Sequence, residues 1–336
     1  MRGVLACVLS TVIFASSIGG TARADVPLPS VAKLGAELGL DADAIARVLA
    51  GKMVETHPPE TFPRDLAVGF VFLVKAPPRE VAKAFRQRDD LASDPNLLAS
   101  HPITGAASDF DALRLSPHGV EEAKRYLEAR SGDTLNLSDA ELAELHKLPA
   151  GAPLADVEAA LRKLLFTRYT AYRASGLAGV APYARASGGP RKPGDDLRQV
   201  TQQVAHLLQR YVPSFEAALS NYPKDRPAQL EESFAWLVHN LDDRPTLALR
   251  HRLMLAVGEG LVAADREFYV SQGYNAMQAI GALLPVEGGT MVFYGAHTST
   301  DKVEGFASAS KHSIGRRVMG KQLEKLFERS RDRAVK

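Results

Sequence analysis

The spacing of apolar residues changes period along this chain, and the change divides it into blocks. Residues 66–74, "LAVGFVFLV", are apolar without a break and rich in Val and Phe. That composition predicts a strand buried on both faces. Pro77 and Pro78 end it, and "PREVAKAFRQR" continues with Val81 and Phe85 four apart, as one side of a helix. Upstream, "LDADAIARVLAGK" predicts a short helix. Asp41 is its N-cap, Ile45, Val48 and Leu49 form its apolar side, and Gly51 stops it.

From about 117 to 225 the apolar period is that of helices. "PHGVEEAKRYLEAR" is one, and "LSDAELAELHKL" opens with Ser138 three residues before Glu141, a capping box. "LADVEAALRKLLFTRYTAYR" is the longest, with Val157, Leu161, Leu164, Leu165, Tyr169 and Tyr172 on one face. After a loop rich in Gly, Pro and Arg comes "DLRQVTQQVAHLLQRYVPSFEAAL", a helix interrupted near Pro213. The glycines of that loop match no dinucleotide fingerprint and follow no strand.

From about 229 the period becomes two. "ESFAWLVHNL" reads as a strand. In "TLALRHRLMLAV", Leu247, Leu249, His251, Leu253 and Leu255 share one face, while Arg250 and Arg252 take the other. "EFYVSQGYNAMQAIGALLP" and "GGTMVFYGAHTST" complete the set, with Gly288-Gly289 supplying the positive φ of a tight turn. A basic helix, "SKHSIGRRVMGKQLEKLFERSRDR", ends the chain, with Ile314, Val318, Leu323, Leu326 and Phe327 as its apolar residues. Strands segregated from helices in this way predict an α+β fold.

The start of the chain changes the picture. A charged residue, an apolar run and Ala22-Arg23-Ala24 read as a signal peptide over residues 1–24, with Asp25 as the first mature residue. The only cysteine, Cys7, lies within it, so no disulfide would support the exported protein. Removing residues 1–24 leaves 39 basic against 39 acidic side chains. That balance argues against nucleic acid as the main partner. No later segment is apolar enough to cross a membrane.

Motifs for chemistry are few. HExxH, Walker A, GxSxG and CxxC are all missing, and no cofactor signature is present. Ser308-Ala309-Ser310-Lys311 and Ser30-Val31-Ala32-Lys33 match SxxK without its companion motifs. The nine histidines show no i, i+3 or i, i+4 pair, which predicts no metal site. His251 stands among four leucines. It is either a core histidine satisfied by a neighbour or the polar fixing group of an apolar pocket. Trp236, Tyr269, Tyr274 and Phe293 lie on predicted strands, where they serve the core, a ligand cavity, or both. His297 lies on the last one. The terminal helix is either a solvated face of i, i+4 pairs or a transient contact for an anionic membrane surface.

"FVFLVKAPPREVAKAFRQRDDL" resembles the opening strand and helix of the START and SRPBCC superfamily, the helix-grip proteins. "VEGGTMVFYGAHTST" followed by "IGRRVMGKQLEKLF" resembles its closing hairpin and terminal helix. The resemblance implies a curved antiparallel sheet gripping a long C-terminal helix, with an apolar cavity between them. It implies a START-like domain in two parts, 62–116 and 229–336. Residues 25–61 form an N-terminal helical segment, and 117–228 are a helical insertion or lid. The function expected is an exported, periplasmic or secreted, binding or transfer protein for an apolar small molecule, with lipids among the candidates. His251, Trp236, Tyr269, Tyr274, Phe293 and His297 are its candidate ligand-binding residues. The alternatives are an enzyme on the same scaffold using His251 or His297, and an envelope protein whose helical block binds a partner.

Overall fold

A computed structural model describes residues 30–87, 96–132, 135–305 and 307–334. The signal-peptide reading of 1–24 and the side chains of Phe85, Leu326 and Phe327 lie outside the described residues.

The fold is α+β, built on one open, curved antiparallel sheet of eight strands. In chain order these are β1 (Val54–Thr56), β2 (Asp65–Val74), β3 (Leu97–Ile103), β4 (Glu231–Leu241), β5 (Arg244–Val257), β6 (Gly260–Val270), β7 (Ala276–Val286) and β8 (Gly289–Ser299). Their order in the sheet is β1-β2-β8-β7-β6-β5-β4-β3. Strands β4 to β8 form a meander, and β8 closes onto β2, with Leu66 opposite Thr298 and Val74 opposite Thr290. The apolar run at 66–74 is therefore an interior strand, and its residues are buried on both faces apart from a half-buried Leu73. The short edge strand β1 and the Pro-containing β3 are not legible from their own composition. At the β7–β8 turn Gly289 has φ 147°, and a Cβ there would sit 2.2 Å from the Val74 carbonyl oxygen. No larger side chain fits that approach.

Two helical layers cover the sheet. On one side lie α1 (Val31–Glu37), α2 (Ala42–Leu49) and the helices between β3 and β4. The latter are α4 (Gly119–Leu127), α5 (Asp139–Leu145), α6 (Leu154–Ser175), α7 (Pro193–Tyr211) and α8 (Pro213–Asn221). The predicted stripe of α6, from Val157 to Tyr172, is buried against Trp236, Leu247, Leu249 and Tyr269. Asp41 caps α2, and Ser138 with Glu141 makes the expected capping box at α5. Pro213 separates α7 from α8. The 117–228 block is thus no free lid. It shares one apolar cluster with the sheet face that carries the odd-numbered residues of β5.

On the other side lie α3 (Pro78–Gln87) and the terminal α9 (Ser308–Ala334). Val81 and Ala82 of α3 and Met319 and Leu323 of α9 share an apolar cluster with Phe70, Leu237, Ala248 and Met277. The face of α9 differs from the one expected. Gly315, Met319 and Leu323 are buried, while Ile314 is 50% exposed and Val318 only half-buried. Gly315 permits the approach, because a Cβ there would already lie 3.0 Å from the Leu66 side chain. The small residue brings the next turn, Met319, down onto the sheet.

Met319→Ala should lower the unfolding free energy in urea by about 2–5 kcal/mol. Ile314→Ala should change it by no more than about 0.5 kcal/mol. The reverse ranking would restore the Ile314 face to the interior.

Candidate functional site

Strand alternation decides which of the candidate residues meet. His251, Trp236 and Tyr269 face α6, on the side away from α9. His251 does point with Leu249 and Leu253, but that direction leads into the helical block and not toward the terminal helix. Its ring stacks on Phe234 at 4.2 Å between centroids, and Tyr172 and Tyr222 close around it. Nδ1 lies 2.9 Å from the Tyr172 hydroxyl, which in turn accepts from Arg266 Nη1 at 3.1 Å. Nε2 lies 3.3 Å from Glu232 Oε1, in polar contact but not aligned for a hydrogen bond.

The Tyr222 hydroxyl donates to the same Glu232 carboxylate at 2.7 Å. Burial is the largest influence on Glu232 and would raise its pKa. The contacts from His251, Tyr222 and Arg226 outweigh it and pull the carboxyl down to about 2. Burial is also the largest influence on His251, lowering its pKa to about 4. At neutral pH the pair is a carboxylate beside a neutral imidazole.

The other candidates are dispersed. Trp236 stacks on His101 and donates from Nε1 to the Asp109 carbonyl oxygen at 2.8 Å. Tyr269 lies under the Arg168 guanidinium, 4.2 Å from its ring centre. His297 Nδ1 sits 3.0 Å from both oxygens of Asp65. Phe293 packs near α1. Tyr274 alone belongs to the apolar cluster of the α3 and α9 side. It lies in the β6–β7 connection and not on a strand.

That side carries a set of residues that were not among the predicted site candidates. Arg250 and Arg252 alternate with His251, and both are buried. Solvent is not beneath them, because the sheet is covered on both faces. Arg252 grips the half-buried Asp265 across the β5–β6 pair, with Nε 2.9 Å from Oδ1. Arg250 Nε lies 3.8 Å from the same oxygen. Burial, with Arg252 second, lowers the pKa of Arg250 to about 10.

Glu267 and His239 complete the set, and each is wholly buried. The Tyr274 hydroxyl donates to Glu267 Oε2. Glu267 Oε1 lies 3.7 Å from His239 Nε2, too far for a hydrogen bond. Both ring nitrogens of His239, Glu267 Oε1 and Arg252 Nη1 have no hydrogen-bond partner. One partial signal did exist, for pairing if not for burial. Two arginines two apart face two acids two apart on the next strand, Asp265 and Glu267, in hairpin register. The hairpin register offers each arginine an acid to pair with should the row be buried.

Among the described residues no group of three or more His, Cys, Asp or Glu is placed to hold a metal ion. No described helix is long and apolar enough to cross a membrane. Neither a family model, nor a curated protein, nor a solved structure matches this chain.

The Glu232–His251 pair predicts acid sensitivity. His251 binds its proton near pH 6.5 when unfolded and near 4 when folded, so its contribution is intact above 6.5 and is lost as pH falls toward 4. Glu232 adds a second loss between about 4.5 and 2. Stability in urea should fall by roughly 1–3 kcal/mol from pH 6.5 to 4 because of His251. His251→Phe should flatten that segment of the profile, and an unchanged slope would show that another group titrates there.

Proposed function

We propose that the protein is an exported binding or transfer protein of START-like, helix-grip architecture. It holds a small molecule with an apolar body between the sheet and the terminal helix α9. The order of elements supports this reading: an opening strand and helix, a meander closing on that strand, then a long helix packed beside it. The apolar part of the ligand would meet residues such as Phe70, Phe72, Leu237 and Met277. Its polar part would meet His239, Arg252 and Glu267.

The observation that carries the proposal is that each of those three side chains keeps at least one buried polar atom without a hydrogen-bond partner, although Arg252 and Glu267 are otherwise engaged. A buried polar atom without a partner is costly, and native interiors rarely keep several together. Arg252 Nη1 can only donate and an ionised Glu267 only accepts, while His239 can do either. A hydroxyl or a protonated acid at one end of an apolar molecule can donate to Glu267 Oε1 and accept from His239 Nε2, which lie 3.7 Å apart. A few polar groups on an apolar wall is the usual make-up of a small-molecule site. The polar fixing group expected at His251 is thereby transferred to the opposite face of the sheet.

A second reading is favoured by the same cluster. Imidazole and carboxylate 3.7 Å apart, with Arg250 opposite Glu267 on the neighbouring strand, is an arrangement that can also move a proton on a bound molecule. Conversion of a bound species to one of different mass during incubation would favour the enzyme.

Native mass spectrometry of the protein purified from its own host should show a bound small molecule. His239→Leu keeps the apolar volume and removes the polar contact. It should weaken affinity by about 5- to 150-fold, as expected for about 1–3 kcal/mol of lost hydrogen bonding, and the bound fraction should fall with it. The circular dichroism spectrum should not change. Equal occupancy in the variant, or a wild-type protein with no bound mass, would count against this site.

A further inference from the structure

A cavity of about 290 Å³ lies on the opposite side of the sheet, near the β5–β6 turn. Its walls come from three places. Leu34 and Leu38 come from α1 and its end, Val204 and Leu207 from α7, and Ile280 and Ala282 from β7. These elements are far apart in sequence and meet only through the folded sheet. The Tyr211 hydroxyl is the one polar side-chain group among the lining residues. Tyr211 is 44% exposed and so marks the mouth.

We infer that this cavity is a second binding site, for an uncharged apolar molecule such as a long-chain alcohol. The lining decides the chemical class. A charged group placed among these side chains would lose its water and gain no partner. A single hydroxyl can stay at the mouth beside Tyr211. The size suits a small molecule: the volume is near the lower end of such sites, roughly 300–1,000 Å³. The occupant is therefore a small molecule. The sheet separates this cavity from the His239 cluster, so the two sites stand or fall independently.

The test uses N-phenyl-1-naphthylamine, an uncharged probe whose fluorescence rises in apolar surroundings, with the whole chain. Saturable binding of one probe per chain at this site is expected, displaced by dodecanol and not by dodecyl sulfate. Ala282→Phe fills the cavity without adding charge and should weaken probe binding at least tenfold. His239→Leu should leave it unchanged. A diazirine-bearing dodecanol analogue, photolysed on the wild-type protein and mapped by mass spectrometry, covers the case in which Ala282→Phe misfolds. Its adducts should fall within residues 31–40 and 204–212. Probe binding that survives Ala282→Phe in a folded variant, adducts confined to other segments, or no uptake by the wild-type protein would each overturn the inference. Loss of probe binding in His239→Leu with Ala282→Phe unaffected would place the apolar ligand in the grip site instead.

Discussion

Burial of the sheet on both faces is the constraint from which the rest follows. Strands β4 to β8 are long and almost wholly inside, so neither of their alternating rows of side chains reaches water. Each row must then be apolar or have its polar groups answered within the protein. The two faces meet that demand differently. The row under α6 uses aromatic rings, with Tyr172, Tyr222, Phe234 and Phe268 packed around His251. The row on the α3 and α9 side uses charge, with Arg250 and Arg252 set against Asp265 and Glu267.

The two solutions leave different residues of chemistry. Around His251 only Nε2 of the ring lacks a hydrogen bond, and it sits against the Glu232 carboxylate among aromatic rings, while Arg266 is held by Tyr172, Thr201, Gln278 and the Leu219 carbonyl. Such a network fixes how α6, α7 and α8 sit on the sheet. It stores little capacity for a visitor. Around His239 the network is incomplete, and the atoms left over differ in kind, a guanidinium nitrogen, a carboxylate oxygen and an imidazole. In a low-dielectric interior the same incompleteness that costs stability supplies affinity for a molecule able to close it. The proposed ligand site and the stability of the fold are thus linked through one cluster.

The helices between β3 and β4 also acquire a role in this light. They do not stand between solvent and the α9 side. They convert the second face of the sheet into interior, and at the end of α7, beside α1, they leave the apolar cavity. Their ends are anchored by charge: Arg64 reaches Asp196 at 3.1 Å, and Arg185 and Arg191 reach Asp301 at 3.2 and 3.0 Å. These contacts tie α7, the segment before it and the β8 end together across long stretches of chain.

The sequence by itself determined most of the longer elements, though not the short β1, the Pro-containing β3 or α1. The unbroken apolar run at 66–74, the stripe of α6, the capping box at Ser138 and the paired glycines of the last turn are local signals, each set by neighbours a few residues away. It also determined that His251 shares a side with its leucines, because alternation is a property of any strand. What it could not determine is what lies above each side. Alternation distinguishes two faces without saying which helix covers which, and two arginines between leucines look equally like a wet face. Only the tertiary structure decided that α6 takes the leucine row and that Arg250 and Arg252 are buried. It moved the packed face of α9 from Ile314 to Met319 through the close contact at Gly315. It also brought His239 to 3.7 Å from Glu267, 28 positions away, and α1 beside α7. Those juxtapositions come from which strands pair and which layers stack, and no window of sequence contains both partners.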